Sequence, residues 1–95
     1  MKTRTLKPKV EKKLNSPKDN LTLKLSNRDH FMYDLFYQNK KIAIFQLSHT
    51  SHEFGKKLIG RMARQLGISS NQLKGIEKCT FWGKDFVVNS RLLID

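Results

Sequence analysis

The alternation of apolar and polar residues predicts β-strands in the middle of the chain. Leu21 to Leu25 alternates apolar and polar positions, as a half-buried strand does. Two apolar runs follow, Phe31 to Tyr37 and Ile42 to Ser48, and both contain aromatic and β-branched residues. The polar segment Gln38 to Lys41 separates these runs. The pattern therefore predicts a β-hairpin preceded by a short strand.

A helical period begins after the hairpin. Thr50 and Glu53 have the spacing of a capping box, in which each side chain satisfies a free backbone N–H at the start of a helix. Gly67 is the predicted left-handed residue that ends this helix. The apolar stripe between these ends consists of Leu58, Ile59, Met62 and Leu66.

Two further segments complete the predicted fold. Ser69 and Gln72 repeat the capping pattern and predict a short helix over residues 71–78. Residues 80–95 fit either a helix or a strand, and helix is the preferred interpretation. Together the elements predict an α+β fold, with a three-stranded antiparallel sheet and helices packed on one of its faces.

The first twenty residues have a different composition. They are polar and rich in lysine, and Pro8 and Pro17 interrupt them. We therefore predict a flexible basic arm over residues 1–20 and a single α+β nucleic-acid-binding domain over residues 21–95.

The net charge of the chain indicates which class of partner it would bind. The chain carries 19 Lys and Arg against 8 Asp and Glu, a formal net charge of +11. The excess is present both in residues 1–20 and in residues 21–95, so the folded part is itself basic. Such a protein attracts polyanions, and RNA is the expected partner. An anionic membrane surface and an acidic protein are the other polyanions that this charge would attract.

Cysteine content and hydropathy indicate the compartment. Cys79 is the only cysteine, so no disulfide can form within the chain, which suits a reducing cytoplasm. We predict that Cys79 is a small buried apolar residue. No run of 18 apolar residues is present, so no membrane span is expected.

The hairpin register suggests a catalytic pair. If the turn is symmetrical and Tyr37 lies opposite Ile42, then His30 lies opposite His49 at the open end of the hairpin. Imidazole accepts and donates protons near neutral pH, so two such side chains could cleave RNA without a metal. The alternative is that both are surface histidines without chemistry. The aromatic residues of the hairpin either form core or offer one face to bases.

Several cations are candidates for phosphate contacts. Lys57, Arg61 and Arg64 recur at helical spacing, which predicts one strongly cationic helix surface. The full predicted set of nucleic-acid-binding residues is Arg28, Lys40, Lys41, Lys56, Lys57, Arg61 and Arg64.

A zinc site is a weaker alternative for the histidines. His30, His49 and His52 could supply three ligands, with Asp29 or Glu53 nearby. The spacing is not that of a known zinc motif, so no cofactor is expected.

The order of elements around these histidines resembles that of the HicA-type toxins, which are small RNA-cleaving proteins with a double-stranded-RNA-binding-like fold. The resemblance covers Leu21 to Ser69, and it rests on Asn27-Arg28-Asp29-His30 before a strand, Ser48-His49 after the hairpin, and Lys56 to Gly67 as a basic helix ending in glycine. It implies that His30 holds the family's catalytic position and that an antitoxin protein is a partner. The family's N-terminal helix is replaced here by the predicted basic arm.

These observations lead to one hypothesis and two alternatives. The hypothesis is an RNA-binding, HicA-like endoribonuclease, or mRNA interferase, that acts through His30 with His49 as its partner. The first alternative is a nucleic-acid-binding module without catalysis, and the second is a protein-interaction subunit with an acidic partner.

Overall fold

The computed structural model describes residues 1–50 and 52–93. In this part of the chain, helix α1 (Thr3–Lys13) and a short 3-10 turn (Pro17–Asp19) precede strands β1 (Leu21–Asn27), β2 (Met32–Tyr37) and β3 (Lys40–Gln46), and helices α2 (Lys56–Gln65), α3 (Ser70–Glu77) and α4 (Gly83–Asn89) follow. The strands form one antiparallel sheet in the order β1-β2-β3. The predicted α+β class with a three-stranded sheet is confirmed.

The prediction of a flexible basic arm over residues 1–20 is wrong, because residues 3–13 form helix α1. Leu6, Val10 and Leu14 recur every four residues, and all three are fully buried. This stripe stabilises the helix through burial, although the interior Pro8 removes one backbone hydrogen bond. The prediction of an arm depends on the prolines and does not use the apolar spacing of Leu6, Val10 and Leu14.

The hairpin is confirmed, but its predicted register is wrong. Gln38 and Asn39 both have positive φ, 52° and 65°, as a tight two-residue turn requires. Tyr37 therefore lies opposite Lys40, and not opposite Ile42. An irregularity beside Leu35 then shifts the rest of the ladder by one residue. As a result His30 and His49 are not cross-strand partners.

One face of the sheet is covered by helices. Tyr33 and its cross-strand partner Phe45 are buried on this face, and so is Leu35. On the opposite face, Ile44 pairs with Asp34 and is 51% exposed. The core consists of the covered face of the sheet and the apolar stripes of the helices. Helices on one face of the sheet agree with the prediction.

The C-terminal half is helical, as predicted, with one error at the start of α2. Gly55 precedes that helix without a side-chain cap, and Thr50 and Glu53 do not form the predicted capping box. The second box is confirmed, because Ser69 and Gln72 bond reciprocally at 3.1 and 2.9 Å.

Within residues 1–50 and 52–93, no helix has the length and apolar content that a membrane span needs.

Gly67 ends α2 in the left-handed region, with φ of 68°, as predicted. A Cβ there would lie 2.9 Å from Ser90 Oγ and 2.9 Å from the backbone nitrogen of Leu92. We expect Gly67→Ala to lower the free energy of unfolding by about 1–2 kcal/mol from backbone conformation alone, with a further cost from these contacts.

Urea denaturation would measure this loss against Gly55→Ala as the matched control. Gly55 has φ of −76°, and nothing lies within 4 Å of the position that a Cβ would take there. Because Gly55 is the N-cap residue of α2, where alanine is less favourable than glycine, its substitution should cost less than about 1 kcal/mol. Equal effects of the two substitutions would contradict the assignment of Gly67 as a required glycine.

Candidate nucleic-acid interface

The start of α1 and the end of the hairpin enclose an open cleft of about 570 Å³. We call it the His49 cleft, and it is lined by Lys2, Thr3, Arg4, Lys7, Phe31, His49 and Thr50. The first four residues come from the segment that the sequence predicts to be a mobile arm. The folding of α1 therefore brings three cationic side chains next to an aromatic ring and an imidazole.

Thr3 fixes the backbone on both sides of His49. Its buried hydroxyl donates a hydrogen bond to the carbonyl of Ser48 and accepts one from the Thr50 N–H at 3.0 Å. The chain is further joined to this end of α1 by the Phe54 N–H, which donates to the Met1 carbonyl at 2.9 Å. An exposed histidine is thus held on a backbone with little freedom to move.

Phe31 forms the aromatic floor of the cleft. Its ring centroid lies 4.5 Å from that of His49, and Lys7 Nζ lies 5.2 Å from its centroid. The backbone of Phe31 has φ of 47°, which is strained for a bulky residue. The Leu47 N–H donates to the Phe31 carbonyl at 3.0 Å, which helps to hold this conformation.

A partly buried polar network anchors α1 to the sheet beside the cleft. Lys7 Nζ and the Tyr33 hydroxyl both donate to Glu11 Oε2, at 2.8 and 2.7 Å. Burial raises the pKa of the Glu11 carboxyl, but the bonds from Lys7 and Tyr33 outweigh it, so the net pKa is lowered. Burial, and then the bond to Glu11 and its charge, raise the pKa of Tyr33. The Lys7 ammonium group is therefore already paired with the Glu11 carboxylate.

Lys2 and Arg4 supply the available positive charge. Arg4 is exposed, and within residues 1–50 and 52–93 neither side chain takes part in a salt bridge. Cations without a paired carboxylate remain available for an anionic ligand. The cleft therefore combines free positive charge with aromatic surface.

His30 lies outside the lining of the cleft. It is exposed in the turn between β1 and β2, together with Arg28. Asn27 Oδ1 organises this turn by accepting the N–H groups of Asp29 and His30, at 3.0 and 3.2 Å. Because His30 directly precedes Phe31, its Cα is only about 3.8 Å from that of the cleft residue.

Lys40 and Lys41 lie at the opposite end of the hairpin. The six residues of β2 separate the two ends by roughly 17 Å at the usual rise per strand residue. Lys41 Nζ is also 3.2 Å from Asp34 Oδ1, on the uncovered face of the sheet. The structure thus does not bring these two predicted residues to the His49 cleft.

The predicted cations of α2 are all exposed, while Ile59, Met62 and Ala63 of the same helix are buried. Two clefts other than the His49 cleft include these cations, since Lys56 lines one beside Phe54 and Arg64 lines one beside Gly67. The exposed cations of α2 are Lys56, Lys57, Arg61 and Arg64. They form a second basic surface, as the helical spacing predicts.

The zinc alternative receives no support from the described residues. In residues 1–50 and 52–93, no three His, Cys, Asp or Glu side chains come together in a group that could hold a metal ion. His52 is exposed and lies outside the lining of the His49 cleft.

The prediction that Cys79 is buried is wrong. Its side chain is exposed, and its backbone has φ of 64° at the turn after α3. Lys9 Nζ lies 3.4 Å from Cys79 Sγ. A hydrogen bond from Lys13, and then the contact with Lys9, lower the pKa of the Cys79 thiol. A long-range contact with α1 thus determines the environment of this cysteine.

Sequence reasoning identifies His49 but not the residues around it. It assigns Lys2, Thr3, Arg4 and Lys7 to a mobile arm, whereas the apolar spacing of Leu6, Val10 and Leu14 is the signal that places them on a packed helix.

Comparisons with family models, with curated proteins and with solved structures find no match for this chain.

Proposed function

We propose that this protein binds RNA and that the His49 cleft is the contact site. The observation that carries the proposal is the convergence of Lys2, Arg4, Phe31 and His49 in one open cleft. A cationic groove with aromatic surface is the usual arrangement for single-stranded nucleic acid, because cations bind phosphates and rings stack on bases. The net charge of +11 would favour encounter with RNA over the whole surface.

Each group has a distinct task in this proposal. Lys2 and Arg4 bind the phosphates, and the bidentate guanidinium of Arg4 also orients them. The exposed His49 ring extends the aromatic surface of Phe31 toward a base. The cations of α2 contribute further, less specific attraction along the RNA backbone.

Cleavage of the bound RNA is the second proposed activity, and the fixed backbone of His49 favours it. In this reaction a 2′-hydroxyl attacks the adjacent phosphorus while the P–O5′ bond breaks, giving a 2′,3′-cyclic phosphate and a free 5′-hydroxyl. One imidazole removes the proton of the 2′-hydroxyl, and the other protonates the leaving 5′-oxygen. His49 takes one of these tasks, and His30, next to Phe31, takes the other.

The resemblance to HicA-type toxins supports the same proposal. The N-terminal helix of that family, which a mobile arm would have replaced, has a counterpart in α1. In this proposal the fold is of the double-stranded-RNA-binding type and an antitoxin protein covers the cleft. The single cysteine fits a reducing compartment, so we propose that the protein acts in the cytoplasm.

Fluorescence anisotropy with a labelled single-stranded RNA tests the binding proposal. We expect Lys2→Ala combined with Arg4→Ala to weaken binding by about tenfold, since two charge-assisted contacts are lost. The slope of log affinity against log salt should fall by about 1.4, or about 0.7 for each lost phosphate contact.

Lys40→Ala combined with Lys41→Ala is the matched control, because it removes the same charge at the far end of the hairpin. It should cost less than about threefold through long-range attraction alone. Equal losses for the two double variants would show that the cleft is not the contact site, and salt-independent binding would contradict phosphate recognition altogether.

A further inference from the structure

A second aromatic and cationic surface lies at the other end of α1. We call it the Trp82 surface, and it lines an open cleft of about 350 Å³ between the end of α1, the 3-10 turn and the start of α4. Its members are Lys12, Lys13, Ser16, Lys18, Asp19, Trp82, Gly83 and Lys84. None of these residues lines the His49 cleft, and none belongs to the set that the sequence predicts to bind nucleic acid.

The indole of Trp82 is exposed but held in place. Its Nε1–H donates to the Cys79 carbonyl at 3.0 Å, and its backbone N–H donates to Asp85 Oδ2 at 2.9 Å. The side chain nevertheless remains 40% exposed. Its one polar group is satisfied within the protein, so the exposed part offers mainly an aromatic surface to a ligand.

Positive charge surrounds this ring. Lys13 Nζ lies 4.6 Å and Lys12 Nζ 5.8 Å from its centroid, and Lys18 and Lys84 line the same cleft. The buried Lys13 is held by the Ile76 carbonyl at 2.6 Å, whereas Lys12, Lys18 and Lys84 are exposed.

Asp19 is the one acid in the lining, and its carboxylate accepts the Ser16 hydroxyl at 2.6 Å. The close packing of this region supports a preformed site. A Cβ on Gly83 would lie 2.8 Å from the carbonyl oxygen of Lys13, so the start of α4 is in direct contact with the end of α1.

We propose that the Trp82 surface is a second contact for single-stranded RNA, where one unpaired base stacks on the indole and the lysines bind the flanking phosphates. This inference rests on the RNA-binding proposal and extends it to a longer ligand. An acidic protein would be attracted by the lysines, but it would not require an exposed, oriented ring at their centre.

The spacing of the two sites sets the length of RNA that can reach both. Arg4 and Lys12 are eight residues apart in α1, so they are separated by roughly 12 Å along the helix axis. A stacked strand with a rise of about 3.4 Å per nucleotide crosses this distance in about four nucleotides. An RNA of about eight nucleotides can therefore occupy both sites, whereas one of about three cannot.

Trp82 is the only tryptophan of the chain, so its fluorescence reports on this surface alone. We expect an oligouridine of about eight nucleotides to quench this fluorescence at the concentrations at which it binds by anisotropy. An abasic oligomer of equal length, which has phosphates but no bases, should bind without comparable quenching.

Variants separate this inference from the His49 cleft. Trp82→Ala should weaken binding of the longer RNA by about tenfold and leave the binding of a trinucleotide to the His49 cleft unaffected, while Trp82→Phe should retain most of the affinity through its remaining ring. Circular dichroism would check that each variant is folded.

Binding of the longer RNA without tryptophan quenching would overturn the inference. The inference would also be overturned if Trp82→Ala and Trp82→Phe lost the same affinity for RNA. The same would follow if Trp82→Ala weakened the binding of polyglutamate as much as the binding of RNA. None of these results would affect the RNA-binding proposal, which is tested separately by the binding of RNA to wild type and to the His49 cleft variants.

Discussion

A His49→Ala variant is expected to lose RNA cleavage by at least about a hundredfold, because removal of a positioned proton-transfer group typically costs that much. The expected effect is on the rate of cleavage, measured with a labelled single-stranded RNA under single-turnover conditions and excess EDTA. Binding should change by less than about fivefold, since the phosphate contacts of Lys2 and Arg4 remain. His49 is exposed, so the substitution should not alter folding.

His52→Ala is the matched control for this prediction. His52 is also an exposed histidine after the hairpin, but it does not line the cleft, so the rate should be unchanged within about twofold. His30→Ala should reproduce the loss seen for His49→Ala, because the reaction needs both a base and an acid. If wild type binds RNA but does not cut it, or if His49→Ala cuts it normally, the catalytic proposal fails and a binding protein remains.

A Leu6→Ala variant is expected to lower the free energy of unfolding by about 2–5 kcal/mol, the usual cost of emptying a buried leucine site. Leu6 is fully buried on the stripe by which α1 packs on the rest of the protein. The loss is a large fraction of the total stability of a domain of this size. Urea denaturation followed by circular dichroism measures it.

Leu25→Ala makes the same chemical change at a position that is 36% exposed, and it should cost less than about 1.5 kcal/mol. The comparison distinguishes a packed helix from a mobile arm. If residues 3–13 were an arm without tertiary contacts, Leu6→Ala would be neutral. That outcome would also remove the His49 cleft, since α1 supplies its cationic wall.

Local signals in the sequence are sufficient to predict much of the fold. The hairpin, the capping box of Ser69 with Gln72 and the terminal Gly67 depend on residues close together in the chain. The register depends on a finer detail, because Gln38 takes a positive φ that is uncommon outside glycine and asparagine. The four-residue turn that the sequence suggests would pair Tyr37 with Ile42, and this longer turn misplaces His30 relative to His49.

The candidate site is harder to predict because it depends on contacts between distant parts of the chain. Thr3 bonds to residues 45 and 47 positions away, and Tyr33 bonds to Glu11 across 22 positions. Pro8 and the many lysines hide the apolar stripe of α1, so local reasoning assigns the cationic wall of the cleft to a mobile segment. Packing of Leu6, Val10 and Leu14 against the rest of the protein stabilises a helix that the residues of α1 alone would not strongly favour.

The most direct test of the RNA-binding proposal is a two-dimensional ¹H–¹⁵N NMR titration of the whole chain with a short single-stranded RNA. We predict that the amide signals of Thr3, Arg4, Phe31, His49 and Thr50 shift together and saturate at the concentration that saturates anisotropy. Saturable binding with shifts only around Lys40 and Lys41, and none at these five amides, would contradict the assignment of the His49 cleft as the RNA site.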